Sequence, residues 1–182
     1  MRIISGEFKS RLLKMVPSND TRETSDKVRG AVFNSLGESI IDAVILDLFA
    51  GSGSYGLEAI SRGAKYVVFN DVKQIAINTL NENIANLGVN DRVILWKHDY
   101  NIALKKLSEL KDKLDIVFLD PPYKLDIYES ISNQLIPHLN EDALLVLEMD
   151  KNRTLDLEQI KAYTVIKEKV YGSKKILILS KH

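Results

Sequence analysis

Two short runs of residues carry the types and spacing that chemistry needs. The first is Asp47-Leu48-Phe49-Ala50-Gly51-Ser52-Gly53-Ser54-Tyr55-Gly56, with Asp71 standing 20 residues after Gly51. Glycines let a backbone approach a ligand at the top of a sheet, and a carboxylate at the end of the next strand can accept both hydroxyls of a ribose. Gly51 to Gly56 fits G-x-G-x-x-G, so a nicotinamide or flavin dinucleotide competes as the ligand. Asp47 weighs against it, because a carboxylate ahead of the loop repels a pyrophosphate and attracts a cationic amino-acid end.

The second run is Asp120-Pro121-Pro122-Tyr123. Successive prolines fix the backbone, carry no N–H and leave carbonyls free to accept. The exocyclic amine of a nucleobase has a delocalised, weakly nucleophilic lone pair. With its two hydrogens accepted by the Asp120 carboxylate and the Pro121 carbonyl, that nitrogen can pyramidalise and aim its lone pair at an electrophile. Tyr123 can stack on the base and hold it. The same four residues also suit a proline-stiffened turn after a buried strand, but acid, both prolines and aromatic together favour the chemical reading.

Such residues work only if an ordered scaffold brings them to one edge. From residue 44 onward, short β-branched or leucine-rich runs alternate with segments of helical period, the βαβ signature. Val44 to Phe49, Tyr66 to Asn70, Val93 to Lys97, Leu114 to Leu119 and Ala143 to Glu148 read as five strands. Ser54 to Arg62 reads as a helix closed by Gly63, and Ile77, Leu80, Ile84 and Leu87 share one face of a second helix ended by Gly88. Further helices are expected through Ala103, Leu107 and Leu110, through Ile127, Ile131 and Leu135 up to Pro137, and over Leu155 to Ile160. Thr164 to Tyr171 and Lys174 to Ser180, joined by Gly172-Ser173, read as a terminal hairpin. Ahead of this core, Arg2 to Leu13 reads as a small hairpin turning near Ser5-Gly6. Val28, Val32 and Leu36 then mark a short helix capped by Ser25 or Asp26, with Gly37 beyond its end. The fold class is a doubly wound, mostly parallel α/β sheet over 38–182, with an N-terminal extension over 1–37.

Composition narrows the possibilities further. A length of 182 residues suits one domain with a modest extension. The absence of cysteine excludes disulfide scaffolds, thiolate metal sites and cysteine nucleophiles. His98, His138 and His182 are too scattered for metal-ligand spacing, so no metal is expected. No apolar run approaches the roughly 18 to 20 residues of a membrane span, and no signal-peptide core follows Met1; a cytoplasmic protein is expected. Net charge is zero, but residues 1–36 hold seven basic and four acidic side chains, and 167–182 hold five and one. Basic ends flank an acidic core expected to be complete without its N-terminal arm. Arg2, Lys9, Arg11 and Lys14 are therefore candidates for docking a polyanion.

The two chemical motifs resemble those of the class I, S-adenosylmethionine-dependent amino-methyltransferases. Arg2-Ile3-Ile4-Ser5-Gly6 and Thr21-Arg22-Glu23-Thr24-Ser25-Asp26-Lys27-Val28-Arg29 are similar to the bacterial 16S ribosomal RNA guanine-N2 methyltransferases, over essentially the whole chain. Glu23 departs from that pattern, where proline is usual. The resemblance implies that Asp47, Phe49, Ala50, Gly51, Ser52 and Gly53 hold the methionine part of S-adenosylmethionine. It assigns Asp71 to the ribose, Asp99 to the adenine amine and Tyr100 beside it, although Asp99 also suits a helix N-cap. Arg22, Asp26 and Arg29 would border the substrate pocket, or form a salt-bridged helix start. The implied partner is 16S ribosomal RNA within a small-subunit assembly, met by a monomer.

The expected activity is methyl transfer to the N2 of a guanine. A DNA amino-methyltransferase acting on adenine N6 or cytosine N4 is the nearest rival, but the sheet leaves no separate domain to read a DNA sequence. A dinucleotide oxidoreductase is a rival from another class, and a non-catalytic binding module is disfavoured by the intact run at 120–123.

Overall fold

The computed structural model describes residues 1–17, 23–122 and 124–182. Its strands are β1 (Val44–Asp47), β2 (Tyr66–Asn70), β3 (Val93–Trp96), β4 (Leu114–Leu119), β5 (Leu139–Asp150), β6 (Tyr163–Tyr171) and β7 (Lys174–Lys181). They form one seven-stranded sheet in the order β3-β2-β1-β4-β5-β7-β6. β1 to β5 pair in parallel, and β7 enters antiparallel between β5 and β6, so the doubly wound sheet with its terminal hairpin is present as expected. The helices are α1 (Asp26–Leu36), α2 (Ser54–Ser61), α3 (Gln74–Leu87), α4 (Tyr100–Lys106) and α5 (Tyr128–Leu135).

Period two explains why the central strands read as unbroken apolar runs. Ile45 of β1 and Ile116 and Phe118 of β4 face a core layer under α1, α2 and α3, while Leu46, Val117 and Leu119 face a second layer under α4 and α5. Each fully buried side chain of this kind contributes about 1.5 to 3 kcal/mol. Ile3 and Leu13 are buried in the first layer, and the amides of Ile4 and Ser5 donate to the Glu58 carboxylate at 2.9 and 3.1 Å. The core is thus not complete without the N-terminal arm. That arm makes a single bridge, Arg2 to Leu12, around a turn over 5–10, in place of a hairpin tightened at Ser5-Gly6.

Other departures have local causes. β1 stops at Asp47 because the chain turns there beneath α2, and β3 stops at Trp96. β5 starts at Leu139, earlier than its apolar run, through a register shift opposite Leu114 and Ile116 that places Asp142 at φ 61°. Leu155 to Ile160 holds only a 3-10 turn, Leu157–Gln159, capped by Asp156. The segment beyond Lys106 likewise tightens into a 3-10 turn at Leu107–Glu109. Ser25 caps α1, its hydroxyl accepting from the Val28 amide, and Gly37 ends it. No helix among the described residues is long and apolar enough to cross a membrane.

Candidate active site

The carboxyl ends of β1 to β5 open onto a cavity of about 610 Å³. Open α/β sheets bind ligands at this edge, beside the point where strand order reverses, here between β1 and β4.

On the β1–β3 side, Phe49, Ala50 and Gly51 form the wall. Gly53 has φ 86° and caps α2, while a Cβ on Gly56 would lie 2.2 Å from the Phe69 ring, so the loop and helix start sit directly on β2. Asp47 lies under this loop, its carboxylate accepting the Gly56 N–H at 3.1 Å; burial foremost, then Asp71 and Glu23, push it up to about 7 against that bond. The Ser52 hydroxyl is buried and donates to the Glu23 carboxylate at 3.0 Å. Asp47, Ser52 and Gly53 build the loop from below, and Phe49, Ala50 and Gly51 line the cavity.

Asp71 does line it. Its carboxylate accepts the Gly51 N–H at 2.9 Å and the Lys73 N–H at 3.0 Å, one on each oxygen. An ionised carboxylate has about four lone-pair sites, so two remain for a diol. Asp99 caps α4 through a 2.9 Å bond from the Asn101 N–H, the helix role expected of it, and also lines the cavity. The Phe49 and Tyr100 rings pair at 5.9 Å beside it. Buried Asn70 ties the three strand ends together, donating to the carbonyls of Leu48 and His98 at 3.3 and 2.9 Å and accepting the His98 N–H at 3.1 Å. This half-site has two carboxylate acceptors, Asp71 and Asp99, and an aromatic pair at its wall, and it fits an S-adenosyl group.

On the other side, Asp120, Pro121 and Pro122 line the same cavity. Burial, and next Glu148, hold Asp120 well above the usual carboxylate range, with Lys174 opposing. Glu148 accepts from the hydroxyls of Thr24 and Tyr55 at 2.8 and 2.9 Å and from the Lys174 ammonium at 2.5 Å. The Tyr55 ring stacks on Phe118 at 4.8 Å beneath Asp120. Sequence reasoning missed Glu23, Thr24, Tyr55, Asn70, Glu148 and Lys174. A usable signal existed for Glu148, a charged residue inside an apolar strand and at the same edge as Asp120.

Tyr123 and Arg22 lie outside the described residues. Arg2, Lys9, Arg11 and Lys14 are exposed and away from the cavity. Arg2 donates to the Ser10 carbonyl, Arg11 to the Asn86 carbonyl and Lys14 to the Glu82 carboxylate. Arg29 is fully buried, 3.4 Å from Glu58 and 3.1 Å from Asp26, and it also donates to the Arg2 carbonyl. Neither Asp26 nor Arg29 lines the cavity; of their two expected places, the salt-bridged helix start is the one the structure shows. They fasten α1 to the arm and to α2, because a buried guanidinium requires that many acceptors.

The two half-sites share the carboxyl edge of a sheet whose last strand runs antiparallel, the arrangement of class I S-adenosylmethionine-dependent methyltransferases, and the chain is one of these enzymes. More narrowly, it belongs to the family described as conserved hypothetical protein 95, whose model matches residues 1–180. It is 33% identical over 174 residues to the ribosomal RNA small subunit methyltransferase D of Haemophilus influenzae, covering 94% of this chain and 89% of that one. The Escherichia coli K12 protein of the same name is 34% identical, covering 94% and 85%. The solved structure of yhhF from Escherichia coli superposes with a TM-score of 0.81 at 29% identity, covering 100% of this chain and 98% of that one. The cofactor of the present chain is S-adenosylmethionine.

Proposed function

We propose that this enzyme transfers a methyl group to the exocyclic N2 of a guanine in 16S ribosomal RNA, in the cytoplasm and on RNA presented by a small-subunit assembly. The observation that carries the reading is the placement of Asp120 and Pro121 in the cavity that Asp71 and Asp99 line. The names of its relatives support ribosomal RNA as the substrate.

S-adenosylmethionine, when bound, supplies an electrophilic methyl group on a sulfonium that departs as a neutral thioether. Asp71 and Asp99 orient the nucleoside end, and the Phe49 and Tyr100 rings wall it off from water. The Asp120 carboxylate and Pro121 carbonyl accept the two N–H groups of the target amine and turn its lone pair into line. In-line positioning of this kind lowers a barrier by up to roughly 7 to 11 kcal/mol, so no nucleophilic side chain is required. The extension over 1–37 contributes a basic surface, with Arg2, Lys9, Arg11 and Lys14 exposed on it, for docking RNA phosphates.

Mass spectrometry of ribosomal RNA nucleosides from cells lacking and expressing this protein tests the reading. Expression should add N2-methylguanosine to the small-subunit RNA. New N6-methyladenosine or N4-methylcytidine in its place, or no new nucleoside, would overturn it.

A further inference from the structure

Cofactor binding gives no reason for a second buried acid beside Asp120. Glu148 is 3% exposed. Strand register explains its position: Phe118 pairs with Val146, which brings Asp120 and Glu148 side by side, and Asp150 pairs with Lys174 on the far strand. Phe118, Val146 and Ile176 all face the core layer under α1, α2 and α3, so alternation points Asp120, Glu148 and Lys174 to that same face. A carboxylate, a second carboxylate and an ammonium thus stand in a row across β4, β5 and β7, leading away from the cofactor half. Adjacent buried acids repel, and an apolar side chain at 148 would pack at lower cost.

The row has unused bonding capacity. Oε2 of Glu148 holds the Thr24 and Tyr55 hydroxyls, whereas Oε1 holds only the Lys174 ammonium among the described residues, which leaves one lone-pair site at the cavity. The ammonium has further N–H groups to donate. The Tyr128 hydroxyl, donating to the Glu148 carbonyl at 2.6 Å, fixes the backbone beneath.

Resting on the reading that the target is a guanine amine, we infer that Glu148 and Lys174 select guanine by accepting its N1–H and donating to its O6. The Watson–Crick edge of guanine presents amine, N1–H and O6 in that order, two donors and then an acceptor. Asp120, Glu148 and Lys174 are its complement, two acceptors and then a donor. Adenine and cytosine each present a ring-nitrogen lone pair next to the amine, which would face the Glu148 carboxylate unpaired.

The experiment first maps the modified guanine, then replaces it singly in the RNA by 2,6-diaminopurine or by 2-aminopurine. Both analogues keep the N2 amine but carry an N1 acceptor, and 2-aminopurine lacks any group at O6. The parent enzyme should disfavour 2,6-diaminopurine by roughly a hundredfold or more in kcat/KM, as sites built on hydrogen bonds do. Glu148→Gln, whose amide can donate to N1, should shrink that preference to below about tenfold. Lys174→Met should slow guanine more than it slows 2-aminopurine, which has no O6 to lose, and this variant carries the test if Glu148→Gln does not fold. A folded Glu148→Gln with the parent's preference overturns the inference, as does a Lys174→Met that slows both bases equally or neither. A parent that methylates guanine and 2,6-diaminopurine alike overturns this inference alone; a parent that methylates no guanine overturns the reading beneath it.

Discussion

Replacing Asp71 by alanine should weaken cofactor binding while leaving the fold standing. The carboxylate lines the cavity and spends one lone pair of each oxygen on the amides of Gly51 and Lys73. The remaining two are free for the ribose that the proposed function assigns to this residue. Losing hydrogen bonds to an ionised group costs about 1.5 to 3 kcal/mol, which is roughly 10- to 150-fold in Kd. The Lys73 amide lies just ahead of α3, so the same change also removes one local hydrogen bond and costs about 1 kcal/mol of stability. Water in the cavity can satisfy the Gly51 amide. Titration calorimetry with S-adenosylhomocysteine, paired with thermal melts, separates the two losses. Asp71→Asn should fall between parent and Ala, because its carbonyl still accepts while its NH2 cannot. An unchanged Kd in a folded Asp71→Ala protein would refute the reasoning and move the ribose elsewhere.

Asp120→Ala should abolish methyl transfer yet keep cofactor affinity nearly intact, as read by single-turnover assays with labelled cofactor; near-normal turnover would remove it from the mechanism. Because burial and Glu148 raise Asp120, the rate should fall on acidification at a pH above the usual carboxylate range, and Asp120→Asn should lose that limb. Asp47 binds its proton up to about pH 7 when folded, against 3.8 ordinarily, so its contribution to stability declines as pH rises between those values and its full cost remains above pH 7. Asp47→Asn keeps an acceptor for Gly56, so its gain in melting temperature should be larger at pH 8 than at pH 5, by an energy of order 3 kcal/mol; equal gains would contradict the assignment. Neutralising Arg2, Lys9, Arg11 and Lys14 together should weaken RNA binding and lower its salt slope by roughly 0.7 to 0.9 per lost phosphate contact, with the parent's slope as the refuting result.

The sheet was legible because parallel strands buried on both faces must be apolar throughout, and the acids at 47, 71, 99 and 120 announce themselves by standing where those runs stop. Elements that depend on tertiary context were not. β5 begins among Asn140, Glu141 and Asp142, whose polarity conceals a strand that only pairing with β4 supports. Leu155 to Ile160 has helical spacing, but the Asp156 cap closes a single 3-10 turn. On the site, single residues after strands could be read, whereas the Glu148 network unites residues 24, 55, 148 and 174 through strand register and the approach of α2, which no local spacing encodes. Arg29 illustrates the converse: a charged residue in a promising motif is buried as a fastener, and only its 0% exposure reveals it.

The reversal of strand order between β1 and β4 also makes this chain modular in linear order. On the reading proposed above, residues 44–100 supply the donor half of the reaction and residues 114–181 the acceptor half; among the described residues lining the cavity, Glu23 and Thr24 come from the N-terminal extension, and Tyr55 reaches from α2 to Glu148. A single crossover in the segment 107–113 would therefore exchange acceptor preference between relatives without disturbing the donor pocket, provided that the residues at 23, 24 and 55 travel with the acceptor half. Recombination at one point, followed by repair at three positions, is a short route by which a fold of this kind can acquire a new target.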